Sequence, residues 1–154
     1  MIQIHYITIE QAIDTHIKTI HASDGGDIGL LNKGQLDSIL AHIQNDCYYP
    51  SITDKLTHLF WGICKFHCFV DGNKRTAISL GTLFLLINGY QDLAESFIRF
   101  MENISFYVAA GKIDKDLLQR IIYAFMNGLE EDETLKFEIY NAIKDDLAEQ
   151  NKSF

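Results

Sequence analysis

The residues best suited to chemistry lie in one short run that begins at His67 and ends at Ala77. The run reads His-Cys-Phe-Val-Asp-Gly-Asn-Lys-Arg-Thr-Ala. Histidine accepts a proton near neutral pH, so His67 is a candidate general base for an attacking hydroxyl. Asp71 supplies a hard-oxygen ligand of the kind that Mg²⁺ binds together with phosphate oxygens and water. The run therefore predicts a base and a metal ligand close together in the chain.

The second half of this run has the features of a phosphate site. Gly72 can adopt a positive φ and lets the backbone approach a ligand closely. A helix that starts at Asn73 offers unpaired N–H groups and the positive end of its dipole to an anion. Lys74 and Arg75 add two cations in the first helical turn, where they are unfavourable unless an anion neutralises them. The whole run favours a nucleotide as the ligand.

The pattern His67-x-Phe69-x-Asp71-x-Asn73-x-Arg75 resembles the signature of the Fic/Doc (Fido) superfamily. Members of this superfamily transfer phosphate-containing groups, mostly AMP, from nucleotides to protein hydroxyls. The resemblance implies that His67 is the catalytic base and that Asp71 holds Mg²⁺. It also implies that ATP is the co-substrate and that its phosphates bind at Gly72, Asn73, Lys74 and Arg75.

Two departures from the usual Fic signature indicate the Doc branch. Lys74 stands where Fic proteins have glycine, and Ile78 stands where they have a second arginine. That arginine helps Fic proteins hold the nucleotide for AMP transfer, whereas Doc turns the nucleotide around and phosphorylates a translation factor. The resemblance therefore implies a Doc-like toxin that moves a phosphate-containing group from ATP to a Ser, Thr or Tyr hydroxyl of a protein. Fic-type AMP transfer and a catalytically silent binding or regulatory module are the alternatives.

The cysteines offer a different use for part of this segment. Cys47, Cys64 and Cys68 make an odd number and predict no disulfide framework, which favours a reducing compartment. Cys64, His67 and Cys68 lie at helical spacing, so a zinc site completed by Cys47 or His58 is an alternative. Because this spacing matches no common zinc motif, the phosphate site is preferred.

A glycine-rich segment precedes the second predicted helix, where residues 25–30 read Gly-Gly-Asp-Ile-Gly-Leu. This glycine density predicts an irregular turn with positive-φ positions. Doc-like proteins have a comparable turn. In the superfamily the equivalent region is a flap beside the active site, where a target segment adds as a strand. We expect a flap here, with a short β-hairpin as an option and a plain interhelical loop as the alternative.

The composition of the 154-residue chain is that of a folded globular protein, with 47% hydrophobic and 22% charged residues. Its formal net charge of −8 disfavours binding to nucleic acid or to an anionic membrane surface. The longest apolar stretch, residues 80–87, is too short to span a bilayer, and residues 1–6 lack the features of a signal peptide. We therefore expect a cytoplasmic protein, and the resemblance implies a protein substrate. An antitoxin partner and a homo-oligomer are left open.

Helix signals dominate the chain. Thr8 and Gln11 form a capping box that predicts a first helix ending near His21. The fourth helix is apolar nearly all round, so we expect it to be the buried centre of the fold. The second to sixth helices are predicted over residues 33–45, 53–67, 73–88, 92–110 and 114–127. The predicted fold class is all-α, a Fido-type helical bundle around a buried central helix, and residues 1–128 form the domain.

Residues 129–154 form an acidic tail with apolar residues at helical spacing, which predicts an amphipathic helix packed on the same domain. Some Fic proteins end in an autoinhibitory helix with the pattern Ser/Thr-x-x-x-Glu-Gly/Asn. Thr134 and Glu138 match this pattern, but Ile139 departs from its last position. In those relatives the glutamate pairs with the second arginine, which is Ile78 here. A docking helix is therefore preferred over an inhibitory one.

Overall fold

The structure, a computed structural model, describes residues 2–152. Within that range the chain forms the helices α1 (Ile9–Ala22), α2 (Lys33–His42), α3 (Ile52–Lys65), α4 (Asn73–Ile87), α5 (Gln91–Ala109), α6 (Lys115–Met126) and α7 (Glu133–Lys152). An isolated antiparallel bridge joins Leu30 to Phe69. The all-α class is confirmed. Among residues 2–152 this isolated bridge takes the place of the short β-hairpin that the sequence analysis left as an option.

Side-chain caps decide where several helices start. The Thr8 hydroxyl accepts the N–H of Gln11 at 3.1 Å, and the Gln11 side chain accepts the N–H of Thr8 at 2.9 Å. This reciprocal capping box starts α1 as predicted. Ser51 and Asp54 form a second box at the start of α3. Since a cap involves residues only three apart, the helix starts could be placed from the sequence alone.

Two helices end two or more residues earlier than predicted. After His42, the N–H groups of Gln44 and Asn45 bond to carbonyls three residues back, so the chain tightens into turns and α2 stops short of Asn45. α3 stops at Lys65 because His67 has a φ of 49°, which no α-helix accommodates. The next three helices are each followed by a glycine with positive φ, of 88° at Gly89, 79° at Gly111 and 70° at Gly128, as is common at helix ends.

The central helix α4 packs against α1, α3 and α5. Its inner face is buried through Thr76, Ala77, Leu80, Gly81, Phe84 and Leu85. The helix is not buried all round, because its three neighbours cover only part of its circumference. Leu86 is 41% exposed, and Ile78 and Leu83 line a surface groove. Among residues 2–152, no helix combines the length and the apolar character needed to cross a membrane.

The tail helix α7 packs against α6 and buries Leu135. The last two residues of the predicted segment 129–154, like residue 1, lie outside the described residues. Glu138 forms an ion pair with Arg120 of α6, and Thr134 lines the same small cavity between the two helices. In this structure the pattern that resembles an inhibitory motif is therefore used to dock α7 on α6.

A buried histidine, His58, links α3 to the start of α6. Its Nδ1 lies 3.0 Å from the Tyr49 hydroxyl and accepts an N–H from the Lys115 ammonium at 2.8 Å. Burial, with smaller contributions from the charges of Lys115 and His42, lowers the pKa of His58 to about 4. The folded protein therefore requires the neutral form of this imidazole.

We expect the free energy of unfolding to fall as the pH drops from about 6.5 to about 4, because the unfolded chain then binds a proton at His58 that the folded protein does not. The stability is fully present above this window, and the loss is at most about 3 kcal/mol. His58→Gln keeps an acceptor for Lys115 but does not titrate. Urea unfolding of both proteins at about pH 7 and about pH 4.5 measures the difference. An equal loss in the two proteins would contradict the assignment.

Candidate functional site

The loop between α3 and α4 holds His67 in an unusual conformation. With a φ of 49°, His67 is the only residue other than glycine with positive φ among residues 2–152. Such a conformation costs free energy and persists only where the surroundings impose it. The side chain of His67 is exposed. The loop thus presents an imidazole to a ligand in solution.

Asn73 closes this loop with its side chain. Its Oδ1 accepts the N–H of Phe69 at 3.1 Å, and its Nδ2 donates to the carbonyl of Phe69 at 2.9 Å. Both ends of the amide are therefore used to brace the backbone. The side chain of Asn73, predicted to bind phosphate, has a positioning role here, while its N–H group belongs to the first turn of α4.

The N-terminus of α4 is open to a ligand. Gly72 is the N-cap, with a φ of 74°, and no side chain caps the helix. A Cβ at Gly72 would lie 2.5 Å from Cδ1 of Ile20, so only glycine fits here without a shift of neighbouring atoms. The first helical bond runs from the N–H of Thr76 to the carbonyl of Gly72. The preceding N–H groups lie at the positive end of the helix dipole, which favours an anion.

A cavity of about 220 Å³ lies in front of this helix end. It brings together five of the six predicted site residues, namely His67, Asp71, Gly72, Asn73 and Lys74. Cys64, Lys65, Val70 and Ala109 complete its lining. The carboxylate, the two lysines and the imidazole give this small cavity a strongly polar character in a chain that is acidic overall.

Arg75, the sixth predicted residue, does not line this cavity, although its guanidinium forms an ion pair with Asp71. Its Nη1 donates to the Ser23 hydroxyl and to the carbonyl of Gly25, the latter at 3.0 Å. It lines a different cavity, of about 600 Å³, between α1, α4 and α5. In this structure Arg75 therefore holds the glycine segment.

The carboxylate of Asp71 is suited to a metal that brings its own remaining ligands. Oδ1 accepts the N–H of Gly72 at 2.8 Å and lies 3.7 Å from Nη2 of Arg75, and the side chain is 52% exposed. Residues 2–152 contain no group of three or more His, Cys, Asp or Glu side chains that could hold a metal ion. A single exposed carboxylate fits Mg²⁺, which completes its shell with phosphate oxygens and water.

The zinc alternative has no support among residues 2–152, because no three His, Cys, Asp or Glu side chains come together there as a metal site would require. Burial raises the pKa of the Cys64 thiol to about 12 and that of Cys68 to about 11, which favours the neutral thiols. Cys64 and Cys68 are buried in the core, whereas Cys47 is exposed. The cysteines of this segment serve packing.

The glycine segment borders the site, as the resemblance implies. The N–H of Val70 donates to the carbonyl of Gly29 at 2.9 Å, next to the bridge between Leu30 and Phe69. A Cβ built on Gly26 would lie 2.4 Å from Oδ2 of Asp71. The glycine segment therefore contacts the loop between α3 and α4 directly, and its role as a flap stays a prediction.

His16 of α1 supports the site from behind, although the sequence motifs do not identify it. It is fully buried, its Nε2 donates to the carbonyl of Asp71 at 2.8 Å, and its ring stacks on Phe69 at 3.9 Å. Because a carbonyl only accepts, Nε2 carries the proton. The available signal was a histidine on the buried face of α1, in register with Ala12 and Ile20.

The fold and the site together identify the class of protein: a helical bundle in which the loop before the central helix α4 carries the signature from His67 to Arg75. The sequence profile of the Fic/DOC family matches residues 2–85, more than half of the chain, and the chain belongs to that family.

Two curated relatives indicate the branch. The chain is 33% identical to Toxin Doc of Mycolicibacterium smegmatis over 105 residues, which cover 66% of this chain and 81% of the relative. It is 34% identical to Protein kinase doc of Escherichia phage P1 over 90 residues, which cover 56% and 70% respectively. No solved structure gives a significant match. The Doc-like branch predicted from the signature is confirmed.

Proposed function

We propose that this protein is a transferase that moves the terminal phosphate of ATP to a Ser, Thr or Tyr hydroxyl of a protein. The observation that supports this proposal most strongly is the cavity in which His67, Asp71 and Lys74 meet the uncapped N-terminus of α4. It combines a base, a magnesium ligand and a cradle for anionic oxygens. The relative named Protein kinase doc supports phosphate as the group transferred.

In the proposed reaction, His67 takes the proton of the acceptor hydroxyl. The hydroxyl oxygen forms a bond to the γ-phosphorus while the bond from that phosphorus to the leaving ADP breaks. Lys74 and the N–H groups at the start of α4 stabilise the charge on the phosphate oxygens. Mg²⁺, when bound at Asp71, would neutralise part of the same charge. Most of the catalysis comes from positioning, which the brace between Asn73 and Phe69 maintains.

Ile78 favours phosphate transfer over AMP transfer. It lines the large cavity that Arg75 also lines, and it brings no charge to the position where the Fic signature has its second arginine. A nucleotide held for AMP transfer would lose that clamp on its phosphates. AMP transfer is the alternative reaction at the same histidine.

The proposal is tested with ATP labelled separately at the α- and γ-phosphorus, each incubated with the protein and Mg²⁺ in a lysate of the host cell. We expect γ-label on protein. α-Label on protein would establish AMP transfer instead. The absence of both labels would contradict the transferase proposal and favour a catalytically silent binding module.

The relative named Toxin Doc supports a further part of the proposal, that the protein is a toxin restrained by an antitoxin. A small gene next to the gene for this protein would be the candidate antitoxin gene. We expect expression of this protein alone to stop growth of the host and co-expression of that gene to restore it. Growth that is unaffected by the protein alone would contradict the toxin assignment.

The contact between the flap and Asp71 makes Gly26→Ala a sharp test of the site. The added Cβ would lie 2.4 Å from Oδ2 of Asp71, so the carboxylate or the flap must shift. We expect label transfer to fall by about tenfold or more and the Mg²⁺ requirement to rise, since small displacements of positioning groups cost large factors.

Gly25→Ala is the matched control. Gly25 also has a positive φ, of 86°, but a Cβ there would meet nothing within 4 Å. It therefore reports backbone strain without the clash. Equal transfer by the Gly25 and Gly26 variants would show that the contact with Asp71 is unimportant.

A further inference from the structure

One charged side chain of the cavity lies outside the signature and has no part in the proposed reaction. Lys65, the last residue of α3, lines the cavity together with His67 and Lys74. It is half-buried. The residues of the signature begin only at His67, so nothing in the pattern draws attention to this second lysine.

Within residues 2–152 the Lys65 ammonium contacts a carbonyl and an aromatic ring and forms no ion pair with a carboxylate. Nζ donates to the carbonyl of Val108 at 3.3 Å and lies 5.5 Å from the ring centroid of Trp61. A carbonyl and an aromatic face orient an ammonium but carry no negative charge. An ammonium has three N–H groups, so donors remain for a ligand.

Other lysines of this protein are used differently. Lys18, Lys55, Lys112 and Lys136 each form an ion pair with a carboxylate. Lys65 instead contributes its positive charge to the cavity, beside Lys74. Both ammonium groups act on the buried Cys64 thiol, where they oppose the rise of its pKa. The lining of this cavity thus holds two ammonium groups and one carboxylate, that of Asp71, and the excess of positive charge favours the binding of an anion.

We propose that Lys65 is a phosphate-binding residue of this site and that it contacts the triphosphate of ATP together with Lys74 and the start of α4. The inference rests on the proposed function for the identity of the nucleotide. The inference also assigns a role to the end of α5, where the carbonyl of Val108 contacts Lys65 and Ala109 lines the cavity. This part of the chain lies beyond residues 2–85, which the family profile matches. The C-terminal half of the chain would thus position one phosphate ligand.

The test is calorimetric titration of Mg²⁺-ATP into the wild-type protein and into variants of Lys65, which requires no turnover. Lys65→Gln keeps a donor for the carbonyl of Val108 and removes the charge. Lys65→Met keeps the stem packed on Trp61 and is the second charge-removing variant should the first fold poorly. Lys65→Arg restores a cation. Lys33→Gln, at an exposed lysine of α2, is the matched control.

We expect the dissociation constant for Mg²⁺-ATP to rise by about tenfold in the Gln and Met variants, the size expected for a lost hydrogen bond to a charged group. The Arg variant and the Lys33 control should stay near the wild-type value. Unchanged binding in a folded Gln or Met variant would overturn the inference and leave Lys65 as a brace between α3 and α5.

The outcomes also separate this inference from the proposed function. If the wild-type protein binds no Mg²⁺-ATP, both are overturned. If binding depends on Lys65 but no label reaches protein in the lysate, the phosphate-binding role stands and the transferase proposal fails. If label transfer occurs and binding is independent of Lys65, the transferase stands without it.

Discussion

Replacing His67 with Ala should reduce label transfer from ATP by about a hundredfold to ten-thousandfold, the range expected when a general base is removed. The fold should remain intact, because the side chain of His67 is exposed and packs no core. The measurement is the initial rate of γ-label transfer, together with a urea unfolding curve. Retention of the wild-type rate by this variant would contradict the assignment of His67 as the base.

The backbone at His67 requires a second variant. Its φ of 49° is one that Asn adopts more readily than Ala, so His67→Asn removes the base while favouring the loop conformation. We expect it to be as inactive as the Ala variant. His21, an exposed histidine at the end of α1, provides the control, and His21→Ala should transfer label normally. If the Asn variant transferred label while the Ala variant did not, the role of His67 would be to hold the loop conformation and not to act as the base.

Replacing Asn73 with Ala should have the second largest effect. It leaves both the N–H and the carbonyl of Phe69 without their partner, and each lost bond at a part-buried site costs about 1 kcal/mol or more. We expect the free energy of unfolding to fall by about 2–3 kcal/mol. Transfer should fall by about a hundredfold, because the loop that carries His67 is no longer held in place.

Asn45→Ala is the control for this prediction. The side chain of Asn45 also accepts a backbone N–H, that of Cys47 at 2.9 Å, but in the turn that follows α2. Its removal should lower stability modestly and leave transfer unchanged. If the Asn73 variant transferred label as fast as the Asn45 variant, the brace would be unnecessary for catalysis.

The parts of the fold that could be predicted from the sequence are those decided by neighbouring residues. The capping box of Thr8 and Gln11 joins residues three apart, and the positive φ of Gly89 ends α4 locally. The clustering of His67, Asp71 and Lys74 follows from their adjacency in one loop before a helix. These features depend on short-range geometry, which a pattern of residue types describes well.

The parts that could not be predicted depend on contacts between distant residues. The side chain of Arg75 turns toward Ser23 and Gly25, and His16 reaches the carbonyl of Asp71, in each case across 50 or more positions. The exposed strip of α4 around Leu86 likewise depends on which helices cover it. A residue's type and spacing carry no information about which of two cavities it faces.

We propose that His67, in the cavity at the start of α4, accepts the proton when phosphate moves from ATP to a protein hydroxyl. The most direct measurement is mass spectrometry of the protein that acquires label from ATP in the lysate, after treatment with wild-type protein or with the His67→Ala variant. We predict one added phosphate on a single Ser, Thr or Tyr residue with the wild-type protein and none with the variant. Equal modification by both proteins, or a modified residue without a hydroxyl, would contradict this account.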